Sequence, residues 1–304
     1  MTARSVLVTG SSGLIGALLV RDLAAAGCKV VGLDPAPYPF GDVPMRPVAG
    51  DVRDRAFLAA LFEEHGFDGV VHAGGASGPT VMADRPGELV EVNVFGTAHL
   101  LALALEHRVR RFVYLSSASA YGDMPRAWMD EDAPFRPAQV YGATKAASDA
   151  LVRAYRVQHG LDAIALRIGT VYGPRRGTNC LVRDMLEAAL AGRSLRLTDA
   201  GRLRQYIYAD DAALAVRRAL DVTEVPQHAY NVSGPDALPL TDVAAIVRET
   251  VAGADVTVVE GDDPQWTFRR EPLDCSAAGR DLGYVPEWPL RRGIAAYADW
   301  LREK

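Results

Sequence analysis

Short apolar runs of strand length alternate with helical patterns along the first half of the chain. They occupy positions 6–8, 30–33, 69–72, 112–115 and 163–166. Strands that are apolar on both faces are typical of a parallel sheet covered on both sides. Their alternation with helices indicates βαβ units. The pattern therefore predicts an α/β fold, a doubly wound parallel sheet of the Rossmann type.

A glycine-rich turn follows the first apolar run. Gly10, Gly13 and Gly16 form a GxxGxxG pattern that opens a helical segment running toward Ala26. Glycines at these positions permit a tight turn, close approach of the backbone to a pyrophosphate, and close packing of helix on strand. The anion would then lie at the N-terminus of the helix. With Asp34 at the end of the second run as an acceptor for a ribose diol, the pattern predicts a dinucleotide site.

Asp34 also bears on which dinucleotide binds. A carboxylate there would repel a 2′-phosphate, and the segment 35–40 contains no arginine to attract one. NAD is therefore predicted rather than NADP. Further along, Asp51 has two interpretations that the sequence leaves open. It could accept a hydrogen bond from the adenine amino group, or it could simply stabilise a turn or cap a helix.

Tyr141 and Lys145 stand one helical turn apart, which places both side chains on one helix face. A positive charge beside a tyrosine lowers the pKa of the phenol and makes it a usable base near neutral pH. A YxxxK match alone more often marks a solvated helix face. Here, however, the chain has only three lysines, Lys29, Lys145 and Lys304. An arginine could not act as a compact, tunable ammonium, so Lys145 favours a catalytic role.

Composition and charge narrow the class of partner. The 304 residues could form one large domain or two modest ones. A hydrophobic content of 49%, a charged content of 23% and a net charge of -5 are typical of a globular protein. They give no electrostatic reason to expect nucleic acid or an anionic membrane as partner. A small molecule is the predicted partner.

No targeting segment or metal site is evident from the sequence. No uncharged apolar run approaches the roughly 18 residues of a membrane span, and no signal peptide precedes the first strand, so a cytoplasmic location is predicted. Cys28, Cys180 and Cys275 are scattered. They have neither metal-ligand spacing nor the even count of a disulfide framework, and no metal is predicted.

Together with further motifs, these residues resemble the extended short-chain dehydrogenase/reductase family, particularly its nucleotide-sugar epimerase and dehydratase branch. The resemblance covers nearly the whole chain. It is carried by the glycine turn, Tyr141 with Lys145, and the segments 51–52, 72–75, 93–97, 116–122, 167–174, 204–211 and 282–286.

The resemblance implies a role for each matching residue. Ser117 would hydrogen-bond the reacting hydroxyl or carbonyl, Tyr141 would act as the base, and Lys145 would hold the nicotinamide ribose. Asn93 would brace this site. The implied NAD contacts are Gly10, Ser12, Gly13, Leu14, Ile15, Gly16, Asp34, Asp51, Val52, Ala73, Gly74, Gly75, Asn93, Ser116, Tyr141, Lys145 and Gly169. The implied substrate contacts are Ser77, Ser117, Ser119, Thr170, Arg204 and Arg269, with Arg204 at the place of the family's phosphate-contacting arginine.

The chain departs from the family pattern at two places. Sugar 4,6-dehydratases have an Asp-Glu pair after the catalytic serine or threonine, whereas this chain has Ala118 and Ser119. The departure argues against a dehydratase. Thr170 replaces an asparagine that usually contacts the diphosphate of a nucleotide sugar, which weakens the case for a nucleotide on the substrate.

The family also implies the organisation of the chain. Residues 1–170 would form the NAD-binding domain, with 205–232 returning to it, and most of 171–304 would form a smaller substrate domain. Two helices, one beginning near Asn93 and one carrying Tyr141, are rich in small and apolar residues. In the family such helices commonly pair across a two-fold axis, which predicts a homodimer.

Three functions compete at this point. The first is an NAD-dependent epimerase acting at a secondary alcohol of a sugar, at C4 of a nucleotide sugar, by transient oxidation and re-reduction. The second is an NAD-dependent dehydrogenase or ketoreductase for a free sugar, sugar acid or other polyol. The third, a non-catalytic NAD-sensing protein, would not need Ser117, Tyr141 and Lys145 together.

Overall fold

The computed structural model describes residues 4–41, 43–123, 128–199, 201–261 and 271–304. The strands are β1 (Ser5–Thr9), β2 (Lys29–Leu33), β3 (Met45–Val48), β4 (Gly69–His72), β5 (Arg111–Ser117), β6 (Ala163–Ile168), β7 (Thr170–Tyr172), β8 (Leu195–Asp199), β9 (Leu203–Tyr208), β10 (Ala229–Val232), β11 (Ala237–Pro239) and β12 (Val256–Glu260). The α-helices are α1 (Leu14–Ala25), α2 (Arg55–His65), α3 (Pro86–Val90), α4 (Gly96–Glu106), α5 (Val140–His159), α6 (Leu181–Leu190), α7 (Ala209–Asp221), α8 (Leu240–Thr250), α9 (Ser276–Leu282) and α10 (Leu290–Arg302).

The largest sheet of the described chain has seven strands, in the order β10-β6-β5-β4-β1-β2-β3. Every neighbouring pair in it is parallel. The five apolar runs of the sequence are β1, β2, β4, β5 and β6. The chain moves outward in one direction from β1 to β3 and in the other from β4 onward. The predicted doubly wound parallel sheet is therefore confirmed.

Helices cover both faces of this sheet, which is why its strands are apolar at consecutive positions. Val6 and Val8 of β1 pack into the core shared with α1 and α7. Leu7, between them, packs into the opposite core, shared with α2 and α4. Successive side chains of a strand point to opposite faces, so a strand buried on both sides has no polar face to present.

Two small sheets lie outside the seven-stranded sheet. One is three-stranded, in the order β11-β9-β7, and the other pairs β12 with β8. Their hydrophobic core is built from α6, α8 and α10. Helix α7 packs on α1, and β10 pairs with β6, so these two elements lie with the parallel sheet. The division into two domains with a boundary near residue 170 stays a prediction.

One helical stretch of the described chain, Pro86–Glu106, has the length and apolar composition of a membrane span. Core helices of water-soluble proteins often share both properties, so composition alone is weak support for a span. Leu100, Leu101 and Leu103 within this stretch are fully buried in the fold. They pack beneath the parallel sheet beside Phe62 and Phe112.

Candidate active site

The glycine turn after β1 lies at the carboxyl edge of the sheet and has no room for side chains. Gly10 adopts φ +68, and a β-carbon there would lie 2.6 Å from backbone atoms of Ala73 and Gly74. A β-carbon on Gly16 would overlap the carbonyl oxygen of Gly10. Helix α1 begins at Leu14 without a side-chain hydrogen bond from its cap, Gly13. Its first backbone N–H groups therefore suit a pyrophosphate.

Asp34 follows β2 directly and is fixed by backbone donors. Its two carboxylate oxygens accept from the N–H groups of Ser12 at 3.0 Å and Ala36 at 2.8 Å. The Ser12 hydroxyl donates to the carbonyl of Ala36 at 2.8 Å. These bonds hold the carboxylate beside the glycine turn, where a ribose diol would meet it. The turn and Asp34 together fit the adenosine half of NAD.

Asp51 is engaged within its own turn. Its Oδ2 accepts from Nη2 of Arg53 at 2.6 Å, and its Oδ1 accepts from the backbone N–H of Arg53 at 2.9 Å. The hydrogen bond and charge of the guanidinium hold the pKa of Asp51 below its ordinary value. Asp51 thus stabilises a turn, which is one of the two roles that the sequence left open. Its contact with adenine stays a prediction. The neighbouring Val52 is buried against Gly96.

Asn93 joins the turn after β4 to helix α5. Its Oδ1 accepts from the N–H of Ala76 at 2.9 Å, and its Nδ2 donates to the carbonyl of Ala76 at 3.1 Å and to Oγ1 of Thr144 at 3.0 Å. It lies in a π-helical turn, Glu91–Phe95, a distortion often found at functional sites. Gly75, with φ +140, passes so close that a β-carbon would lie 2.8 Å from Oδ1 of Asn93.

Lys145 is buried on α5 beneath the end of β5. Its Nζ donates to the carbonyl of Leu115 at 2.8 Å and lies 4.8 Å from the centre of the Tyr114 ring. Burial opposes the charge, but the charges that Tyr114 and Tyr141 can carry favour it, and the pKa of Lys145 is raised. The side chain therefore keeps an ammonium group at neutral pH.

Tyr141 and Ser117 reach the same edge of the sheet from two different elements. The Tyr141 ring is buried near the start of α5, and its hydroxyl lies 3.5 Å from the hydroxyl of Ser77. Ser117 ends β5, and its hydroxyl accepts from the N–H of Ser119 at 3.1 Å. Ser116, the preceding residue, is buried. Their catalytic and binding roles stay predictions.

His72 forms a buried link that the sequence alone did not single out. At the end of β4, its Nδ1 lies 2.7 Å from the hydroxyl of Thr9 and its Nε2 lies 3.0 Å from that of Thr97. The Thr9 hydroxyl also accepts from the N–H of Gly74 at 3.1 Å. Burial, aided by the charge of Lys145, lowers the pKa of His72 to about 3. A neutral imidazole thus ties Thr9, at the end of β1, to Thr97 of α4.

A second buried link holds α5 in place. Arg167 of β6 binds both carboxylate oxygens of Asp149 of α5, each at 3.0 Å. Its Nη1 donates to the Tyr121 hydroxyl at 3.0 Å, and that hydroxyl donates to Oδ1 of Asn231 at 2.7 Å. The motif containing Arg167 was visible in the sequence. The partners, 18 or more residues away, were not.

A cavity opens beside Ala118, the residue that follows Ser117. Its lining includes Ala118, Gly169, Thr170, Arg204, Tyr206 and Ser233. Arg204 is buried and pairs with Asp199, with Nη2 2.5 Å from Oδ1. Thr170 and Arg204 are thus brought together, while Ser77 lies by Tyr141. Arg269 lies outside the described residues.

The described residues contain no group of three or more His, Cys, Asp or Glu side chains placed to hold a metal ion. Cys180 is buried, and Cys28 and Cys275 are half-buried. Burial raises the pKa of the Cys275 thiol to about 12. That thiol is therefore protonated near neutral pH and unsuited to act as a thiolate nucleophile.

Comparison with known proteins agrees with this geometry. Residues 6–233 match the NAD dependent epimerase/dehydratase family. The chain belongs to this family. The resemblance predicted from the motifs is therefore confirmed, and so is NAD as the cofactor. This member of the epimerase/dehydratase family is an NAD-dependent enzyme.

Individual family members are similar over nearly their full length. The dTDP-glucose 4,6-dehydratase of Streptomyces antibioticus is 31% identical, over 98% of this chain and 92% of the relative. The structure of UDP-glucose 4-epimerase from Thermus thermophilus in complex with NAD is 29% identical, with a TM-score of 0.86 and coverage of 98% and 99% of the two chains. UDP-glucose 4-epimerase from Thermotoga maritima, at 23% identity, shares the fold with a TM-score of 0.90 over 98% and 99% of the chains.

Proposed function

We propose that this family member is an NAD-dependent epimerase that inverts a secondary alcohol of a sugar, at C4 of a nucleotide sugar. The family contains both epimerases and dehydratases, and the relative from Streptomyces antibioticus is named a dehydratase. Ala118 and Ser119 favour the epimerase. They form a short 3-10 turn directly after Ser117, and neither can serve as the carboxylate acid or base that elimination of water from the sugar requires.

The residues around the turn after β5 supply what an epimerase needs. Tyr141 would take the proton from the reacting hydroxyl, while Ser117 would hydrogen-bond the same oxygen and orient it. The buried ammonium of Lys145 would favour the phenolate of Tyr141. NAD, when bound across the glycine turn and Asp34, would supply the acceptor for the hydride of the sugar carbon. After the keto sugar has presented its other face, the hydride would return to that face of the carbon and Tyr141 would return the proton to the oxygen.

A dehydrogenase or ketoreductase for a free sugar, sugar acid or other polyol is the second candidate. The ion pair between Arg204 and Asp199 favours it, because the carboxylate already balances the charge that would attract a diphosphate. Thr170 supports the dehydrogenase too, since its single hydroxyl replaces the asparagine amide that usually contacts the diphosphate of a nucleotide sugar. The phosphate contact of Arg204 stays a prediction. The nucleotide sugar remains the stronger candidate because complexes of related proteins at 27% and 29% identity contain UDP-glucuronic acid and TYD, each with NAD.

The products and the fate of the cofactor distinguish these activities. We expect purified protein to release about one NAD per chain on denaturation, because an epimerase restores its cofactor in every cycle. Incubation with UDP-glucose and, separately, dTDP-glucose should give the C4 epimer by NMR, without a 4-keto-6-deoxy product. Formation of that product would instead establish a dehydratase. Accumulation of reduced cofactor with a free sugar or sugar acid would establish the dehydrogenase.

We also propose that the enzyme is a homodimer that acts in the cytoplasm. The homodimer is supported by a row of exposed small residues along α5, which are Ala143, Ala147, Ala150 and Ala154. The cytoplasmic location rests on the cellular supply of nucleotide sugars and NAD, and fluorescence microscopy of a tagged chain would test it.

A further inference from the structure

Three prolines stiffen the loop that follows Asp34. This proline loop, residues 35–40, has proline at positions 35, 37 and 39. The ring of each proline fixes its own φ, and it also restricts the residue before it. Asp34 precedes Pro35, so its own conformation is restricted as well. A displacement at the far end of so stiff a loop is therefore transmitted to the carboxylate of Asp34.

Hydrogen bonds fix the near end of the proline loop beside the glycine turn. The N–H of Ala36 donates to Asp34 at 2.8 Å, and its carbonyl accepts from the Ser12 hydroxyl at 2.8 Å. Farther along, the Tyr38 hydroxyl donates to the carbonyl of Ala17 in α1 at 2.8 Å. The loop is thus tied to the glycine turn and to α1, the two elements that suit the pyrophosphate of NAD.

Arg175 holds the far end of the proline loop from a position 136 residues further along the chain than Pro39. Its Nη1 donates to the carbonyl of Pro39 at 2.9 Å, and its Cζ lies 3.9 Å from the centre of the Phe40 ring. A guanidinium over an aromatic face is attracted by the ring, even at an exposed site. Phe40 also packs on an apolar cluster that includes Leu18 of α1. The arginine that the loop itself lacks is therefore supplied by a distant segment.

The backbone of Arg175 has an unusual conformation. Its φ is +69, in the left-handed region that residues other than glycine seldom adopt. Such a conformation persists only where the surroundings stabilise it, and it often marks a functional position. Arg175 follows β7 by three residues, and Thr170, at the start of β7, lines the cavity beside Ala118. The arginine therefore connects the strand at this cavity to the loop that follows Asp34.

We propose that Arg175 is a positioning residue that fastens the proline loop and thereby slows the release of NAD. It acts through the loop: with Pro39 and Phe40 held, the stiff segment keeps the Asp34 carboxylate in place for the ribose diol. Without the arginine, the far end of the loop loses two contacts, and Asp34 is held less firmly. The epimerase and the dehydrogenase both bind NAD, so this role of Arg175 does not depend on which of them the enzyme is.

The test measures how fast bound NAD exchanges. Holoenzyme loaded with NAD is mixed with an excess of isotopically labelled NAD, and the label on the protein is followed by mass spectrometry. Arg175→Ala should exchange roughly fivefold faster than wild type, the effect expected from loss of an exposed cation–π contact and one hydrogen bond. Phe40→Leu should also exchange faster. The double variant should fall short of the product of the two effects, because both changes remove the same contact.

Arg108→Ala provides the matched control. Arg108 is also an exposed arginine with a positive φ, +55. It lies between α4 and β5, at the edge of the sheet opposite the glycine turn, so its variant should exchange NAD at the wild-type rate. An Arg175→Ala variant no faster than wild type, an Arg108→Ala variant as fast as Arg175→Ala, or a fully multiplicative double variant would overturn the role of Arg175. The assay needs no substrate, so each of these results leaves the proposed function standing.

Discussion

At the scale of single residues, the candidate active site contains a buried lysine, Lys145, whereas the buried ion pairs of the chain use arginine. Arg167 and Arg204 form buried ion pairs with carboxylates, the geometry that a forked guanidinium favours. Lys145 instead approaches a carbonyl and the face of Tyr114. The compact charge of Lys145 therefore lies near Tyr141 and forms no ion pair with a carboxylate of the described residues.

Replacing Tyr141 by phenylalanine should separate proton transfer from binding. The change removes the ionisable oxygen and leaves the ring packing and Lys145 in place, so turnover should fall about 10²- to 10⁴-fold. NAD affinity, measured by calorimetry, should stay within a few-fold of wild type. Tyr155→Phe, on the same helix and facing His159, should retain full turnover. Tyr141→Phe retaining more than half the activity would rule out Tyr141 as the base.

His72 should make stability depend on pH. Its pKa of about 3 in the fold lies far below the ordinary value of 6.5, so the unfolded chain binds one more proton between these limits. The free energy of unfolding should therefore fall as the pH drops below 6.5, by roughly 2 kcal/mol between pH 6.5 and 5 from this group alone. Stability at higher pH is unaffected by it.

Urea unfolding at pH 6.5 and pH 5 measures this contribution. His72→Gln should reduce the loss of stability between the two pH values, whatever its effect on stability at pH 6.5. His159→Gln, exposed at the end of α5, should retain the wild-type loss. An undiminished loss in His72→Gln would show that His72 is not the group responsible.

At the scale of elements, the sequence predicts features that depend on backbone conformation and close packing within a turn. It does not predict contacts that form between distant elements. The glycine turn was predictable because Gly10 and Gly16 are required by contacts within the turn and with Ala73. The link between β6 and α5 was not, because Arg167 binds Asp149 only after the sheet forms. The pairing of Arg204 with Asp199 was missed as well. The family resemblance assigned Arg204 to a phosphate, and periodicity cannot reveal which way a side chain turns.

The pair of Arg167 and Asp149 should fix the orientation of the catalytic helix. Both side chains are almost fully buried, and Asp149→Asn leaves the guanidinium charge without a balancing carboxylate. The free energy of unfolding should fall by about 3–5 kcal/mol, as measured by urea denaturation. Asp299→Asn breaks the exposed pair with Arg302 and should cost less than about 1 kcal/mol. A similar, small loss in both variants would mean that the buried pair does not stabilise α5.

At the scale of the whole molecule, α5 has a face that its own chain leaves uncovered. Its exposed residues include Ala143, Ala147, Ala150, Ala154 and Val157, at alternating intervals of four and three. These intervals place them in one row along the helix. Phe95, just before α4, is 55% exposed as well. The leucines of α4 that the sequence suggested for a subunit contact are buried within the chain, so the exposed surface belongs mainly to α5.

A row of alanines lets two helices approach closely, and its burial would explain why this row of α5 carries no polar residue. We therefore expect wild type to have twice the mass of one chain by light scattering at micromolar concentration. Ala150→Glu, in the middle of the row, should yield the mass of one chain, because dimerisation would bury an unpaired carboxylate. Ala60→Glu, at an exposed alanine of α2, should remain dimeric. A monomeric wild type would refute the homodimer, and a dimeric Ala150→Glu would place the contact on another surface.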